Sequence, residues 1–105
     1  MFSFTPDTQR YKMEKFMVLS TFKEGTDMAD VYAVVPEEQA RVAVLVAEGR
    51  LGSVYLSPTR GTVFIEAFAE TLAEAEETAH SLPMAKWWNI DVYPLAPPAR
   101  PGAAS

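Results

Sequence analysis

LGSVYLSPTRGTVFIEAFAETLAEAEETAHSLP, residues 51–83, sets the architecture of the chain. Leu51 to Leu56 reads as a strand, and Ser57-Pro58-Thr59-Arg60-Gly61 carries turn chemistry. Thr62 to Ala69 returns as a second strand, so the two form a hairpin. Thr71-Leu72-Ala73-Glu74 fits a capping box, in which hydroxyl and carboxylate each satisfy a backbone donor at a helix start. Leu72, Ala75, Ala79 and Leu82 then recur at helical spacing until Pro83 stops the run. Strand, strand and capped helix are therefore consecutive.

Reading outward completes the order. Downstream, Trp88 to Leu95 is a last strand, and Trp87 and Trp88 point to opposite sides if that strand has begun. Upstream, Val35-Pro36-Glu37-Glu38 opens a helix, since proline suits the first turn and acids complement the helix dipole. That helix runs to about Glu48, with Gly49 as its stop. Ala40, Ala43, Val44 and Ala47 form its apolar stripe, widened by Val42, Leu45 and Val46, which predicts cover from more than its own sheet. KEGTDMADVY, residues 23–32, reads as a polar loop of the length that borders sites; its acids lack a cation-ligand pattern. Lys15 to Phe22 is the first strand. The order β-α-β-β-α-β predicts an α+β, ferredoxin-like fold, an antiparallel sheet with two helices on one face.

Composition narrows the function classes. A chain of 105 residues makes one domain. Net charge is −5 without a Lys/Arg cluster, which argues against nucleic acid and anionic membranes as partners. Cysteine is absent and His80 is the single histidine, so disulfides, Cys nucleophiles and multi-His metal centres are excluded. No stretch approaches the ~20 apolar residues of a membrane helix. A cytoplasmic protein is expected, with residues 1–12 a flexible extension before Met13, an ordered body at 13–96, and a Pro/Ala-rich disordered tail at 97–105.

Alternation along the strands sorts side chains into two sets. Val54, Leu56, Val63, Ile65, Ile90 and Val92 suit a face covered by helices. Ser53, Tyr55, Phe64, Glu66, Phe68, Asn89, Asp91 and Tyr93 share the other, too aromatic for water and too polar for a dry core. A second sheet packed there explains both properties and predicts a homodimer or higher homo-oligomer with a barrel-like interior. The first strand does not sort, because Phe16, Val18 and Phe22 and the alternate Met17 and Leu19 are all apolar.

The element order and LAEAEETAHSLPMAKWWNIDVYPL, residues 72–95, resemble the muconolactone isomerase family of dimeric α+β barrel proteins. The matching positions are Leu82 and Pro83 at the helix end and Ile90, Asp91, Val92, Pro94 and Leu95 in the last strand. TVFIEAFAETLAEA, residues 62–75, is also similar in pattern. The likeness covers the last third of the chain closely and the remainder by pattern. It implies a cofactor-independent enzyme, without metal, acting on a small cyclic organic acid, lactone or aromatic polyketide-like compound. The family's isomerisation removes and returns a proton, which needs a base beside the carbon and a group to hold the enolate. Related barrels carry out oxygenation, decarboxylation, dehalogenation and cyclisation, and some have no demonstrated chemistry, so a non-catalytic small-molecule binder or accessory subunit is the alternative reading of this chain. The first strand departs from the family, offering only Ser20 and Thr21 where relatives place His or Arg.

Glu66, mid-strand between Phe64 and Phe68, is the candidate for proton transfer, and it reads equally as a carboxylate paired with Arg or Lys across a dimer interface or facing trapped water. His80 and Asp91 are its candidate helpers; His80 also reads as a solvated partner of Glu76, and Asp91 as a structural residue of the strand pattern. Tyr55, Phe64, Phe68 and Trp88 are the candidate substrate contacts, with packing the alternative for each tryptophan.

Overall fold

The computed structural model describes residues 13–98. The expected extension at 1–12 and the tail beyond residue 98 lie outside these residues. Four strands form one antiparallel sheet: β1 (Glu14–Phe22), β2 (Leu51–Ser57), β3 (Thr62–Ala69) and β4 (Trp88–Pro94), in the order β2-β3-β1-β4. Three helices accompany them: α1 (Met28–Ala33), α2 (Val35–Ala47) and α3 (Leu72–His80). Short 3-10 turns at Pro58–Arg60 and Pro83–Trp87 complete the chain. This is a small α+β domain whose open sheet matches a ferredoxin-like arrangement.

Register fixes which side chains share a face. Val18 lies opposite Ile65 on one side and Val92 on the other, and Phe16 opposite Ala67 and Pro94. These residues face the helices, where Phe16, Val18, Leu45 and Ile65 are sealed from solvent. The ambiguity of the first strand thus resolves: Phe16, Val18, Ser20 and Phe22 belong to the core side, and Met17 and Leu19 to the open side. Alanines at 75 and 79 bring α3 close to the sheet, and Leu82 joins the core just after the helix has ended. Thr71 Oγ1 accepts from the Glu74 amide at 3.1 Å, as a cap should. The reciprocal bond runs to Glu70 N at 2.8 Å, one residue outside the predicted box.

Three expectations are corrected. The polar loop contains α1, where Asp27 Oδ1 accepts from Ala29 N at 2.9 Å and Val31 is buried. A helix of six residues is too short to persist alone. Its burial of Val31 against the domain holds it. The apolar stripe of α2 is inverted: Glu38 and Leu45 are buried and Val42 packs on the core, while Ala40, Ala43, Val44 and Ala47 are exposed. Of the aliphatic chains Val42 and Leu45 face the core while Val44 and Val46 do not, and a carboxylate sits in the inner row. The second predicted helix ends at His80, short of Leu82, because Ser81 caps it and Leu82 is already extended. Gly49 does stop α2 in the left-handed region at φ 78, which lets Arg50 N reach Leu45 O at 2.9 Å.

Candidate functional site

The helix layer covers the sheet unevenly, and the gap defines the site. Over most of β1 and β3 the helix side is sealed, with Phe22, Ile90 and Val92 only partly buried at its margins. Over β2 it is not, leaving Val54 partly exposed and Leu56 68% exposed. A cleft of ≈ 490 Å³ opens there. Its roof is Met28, Val31 and Tyr32 of α1 with Val35 at the start of α2. Its floor is Phe22 at the end of β1 and Leu56 and Val63 of the hairpin. Met84, from the 3-10 turn after Pro83, closes the inner side. The lining is apolar except for the Ser57 and Thr62 side chains at the turn and the Tyr32 phenol. A hollow of ≈ 410 Å³ at the far end of β1, bounded by Lys15, Leu95, Ala96 and Pro97, has no comparable enclosure by aromatic or helical elements.

Local chemistry holds these walls in place. Glu38 is buried on α2, and its Oε1 accepts from Met84 N at 2.9 Å, pinning the inner wall to the helix. Burial raises the carboxyl above the ordinary glutamate range, and the Met84 hydrogen bond offsets this in part. Arg41 Nη2 donates to Ser81 Oγ at 3.2 Å one turn further along, tying α2 to the end of α3. Arg50 Nη2 donates to the buried Thr78 Oγ1 at 2.9 Å.

The candidate residues divide between three places. Tyr55, Phe64, Glu66, Phe68 and Asp91 share the open face of the sheet, on the opposite side from the cleft. Glu66 faces Met17 across the ladder; its Oε1 accepts from Ser53 N at 3.0 Å and its Oε2 lies 3.9 Å from Lys15 Nζ. Gly52 makes that bond possible, since a Cβ there would stand 2.7 Å from Glu66 Oε1 and 3.0 Å from Phe68 Cε2. Asp91 sits on β4 opposite Leu19, across β1 from Phe64 and diagonal to Glu66, which has Tyr93 directly across β1. His80 ends α3 in the helix layer, exposed, and is not brought to either carboxylate. Among the described residues the ion pairs within 4.0 Å are Lys15–Glu66 and Glu48–Arg50, so the expected His80–Glu76 pair does not form. Trp88 is in the core, packed edge-on against Phe22 with ring centroids 6.4 Å apart. It stands behind the cleft wall rather than with the other aromatic candidates. Trp87 is half-buried beneath Lys86, whose Nζ lies 4.7 Å from the ring centre.

Sequence reading missed the cleft and Glu38. For Glu38 a signal existed: it stands four residues before Val42 and seven before Leu45, on the row that packs. Among the described residues no group of three His, Asp or Glu side chains is placed to hold a metal ion, and no helix is long and apolar enough to cross a membrane. No protein-family model matches the chain, and no curated protein matches it significantly.

Proposed function

We propose that this protein binds a largely apolar, cyclic small molecule in the cleft beneath α1, as one half of a homodimeric α+β barrel. The carrying observation is the cleft: ≈ 490 Å³, walled by aromatic and aliphatic side chains and by Met28 and Met84, whose thioethers adapt to ligand shape. Among the described residues no charged side chain lines it, so the interaction is one of shape and apolar burial. The likeness to the muconolactone isomerase family supports a cyclic lactone, small organic acid or polyketide-like compound, bound without cofactor in the cytoplasm. The dimer rests on the open sheet face, where Tyr55 and Tyr93 are 55% and 51% exposed beside half-buried Phe64, Phe68, Met17 and Leu19. Such a patch favours burial against a second copy. Neither nucleic acid nor membrane is a partner in this reading.

The test is a titration with a neutral fluorescent naphthylamine. Leu56→Glu places a carboxylate on the exposed lip of the cleft, where the fold tolerates it. Affinity is expected to fall at least about tenfold while the unfolding midpoint stays unchanged. Equal affinity in the two proteins would contradict the reading. For the dimer, Phe64→Lys is expected to sediment as a monomer at micromolar concentration where the wild-type chain sediments as a dimer.

A second reading, proton transfer on a compound held between the open faces of two copies rather than in the cleft, is favoured by one placement. Glu66 lies mid-strand among Phe64 and Phe68 on the face that a second copy would enclose, with Tyr93 directly across β1 and Asp91 diagonal to it. There it would act as base, as in double-bond isomerisation. Turnover of a cyclic lactone unaffected by Glu66→Gln would remove Glu66 as the base, and absence of turnover in the wild-type chain would leave the binding or accessory role.

A further inference from the structure

Among the described residues two buried side-chain polar groups lack a hydrogen-bond partner: Ser20 Oγ and Trp88 Nε1. Such groups are uncommon, because an unmade hydrogen bond in the interior is costly. Ser20 is 0% exposed and Trp88 4%. Both face the helix side of the sheet, and both adjoin the cleft. Ser20 lies opposite Val63 on the ladder, and Val63 is cleft floor. Trp88 lies opposite Phe22 and packs on its ring, and Phe22 is cleft wall. Ser20 faces Ile90, two residues from Trp88, so the two donors are diagonal neighbours on one sheet face. Diagonal neighbours stand roughly 7–8 Å apart or somewhat less, a separation that an aromatic side chain such as Trp88 spans. Met84, flexible and shared between cleft and core margin, is the side chain whose movement would admit a ligand atom.

We infer that the cleft is built for a planar apolar compound carrying an uncharged carbonyl oxygen, of the ketone, quinone or lactone class, which receives hydrogen bonds from Ser20 Oγ and Trp88 Nε1. A carbonyl oxygen has two lone pairs, matching the two donors. A carboxylate fits less well, because no Lys or Arg lines the cleft to balance a buried negative charge. This inference rests on the cleft as the binding site and selects within the classes proposed above.

The experiment titrates the full-length protein with three probes of one shape: fluorene, 9-fluorenone and fluorene-9-carboxylate. The ketone is expected to bind about tenfold more tightly than the hydrocarbon, the effect of one or two hydrogen bonds, and the carboxylate more weakly than the ketone. Ser20→Ala removes an unpaired hydroxyl without creating strain, so the variant should fold. It is expected to lose most of the ketone's advantage while binding fluorene as the wild type does. The carbonyl stretch of bound fluorenone is expected to move to lower wavenumber in the wild type and to move back in Ser20→Ala. Equal binding of ketone and hydrocarbon, with no shift of the stretch, would overturn the inference and leave the cleft reading intact. Failure of all three probes to bind would overturn both.

Discussion

The two faces of the sheet are made from alternate residues of the same four strands, and they are finished differently. On the helix side Phe16, Val18 and Ile65 meet α2 and α3 and are closed to water. On the other side Tyr55 and Tyr93 stand half in solvent, with Glu66 held by Ser53 N rather than by a second layer. The helix side is also incomplete in one place, over β2, and there the chain leaves a concave apolar surface instead of a flat one. A flat aromatic face suits another flat face, a second copy. A roofed cleft suits a small molecule. The contrast is what supports the proposal of ligand binding on one side of the sheet and of association on the other.

The sharpest way to break this contrast is to truncate one aromatic on each side. Phe16→Ala is expected to cost about 3–5 kcal/mol of stability, since the ring is buried among core residues that cannot collapse onto the space. Tyr93→Ala, on the open face, should change the stability of the single chain by within about 0.5 kcal/mol. Urea unfolding of variants kept monomeric by Phe64→Lys measures both, and similar costs would mean that the faces are not distinct.

A middle-sized effect sharpens the picture at the cleft wall. Glu38→Ala removes the acceptor for Met84 N and is expected to cost about 1–3 kcal/mol. Glu38→Gln keeps an acceptor and sheds the buried charge, so it should be neutral or stabilising near pH 7. Burial raises the Glu38 carboxyl, so the folded chain keeps that proton to higher pH than the unfolded chain does. Its contribution to stability is therefore present below the ordinary glutamate range and is lost as pH rises through the raised value. Unfolding curves across that window should slope downward with pH more steeply in the wild type than in Glu38→Gln.

The smallest effect tests the open face. Gly52→Ala forces Glu66 Oε1 away from the new Cβ and breaks its bond with Ser53 N, at an expected cost of about 1 kcal/mol. Because Glu66 can swing outward, the backbone need not move. A loss several times larger would show that the bulged start of β2 is rigid.

Much of this was legible in the sequence. The hairpin, the capped helix and the aliphatic face of β2, β3 and β4 follow from turn residues, Thr71 and period-two alternation, all of them local signals. β1 was not legible, because Phe16 and Met17 are both apolar and only pairing partners decide their direction. The outward stripe of α2 misled for a similar reason: valines and alanines lie all round the helix, and Val44 and Val46 are exposed while Val42 and Leu45 pack, so only the docking of the helix decides its inner row. α1 has too few residues for a periodic signal, and Val31 alone anchors it. The cleft could not be read at all, since it is set by where the helix layer stops above Leu56. Of the candidate residues, Tyr55, Phe64, Glu66, Phe68 and Asp91 were correctly grouped by alternation, while Trp88 and His80 depend on how the chain ends of β4 and α3 are placed.

Amide chemical-shift mapping during titration with 9-fluorenone tests the central claim most directly, because it reports which side of the sheet receives the ligand. The account predicts that the amides of Phe22, Val31, Val63 and Met84 move as the ligand saturates, while those of Tyr55, Glu66, Asp91 and Tyr93 hold their positions. Shifts gathered on Glu66 and its open-face neighbours, with the cleft amides unmoved, would contradict it.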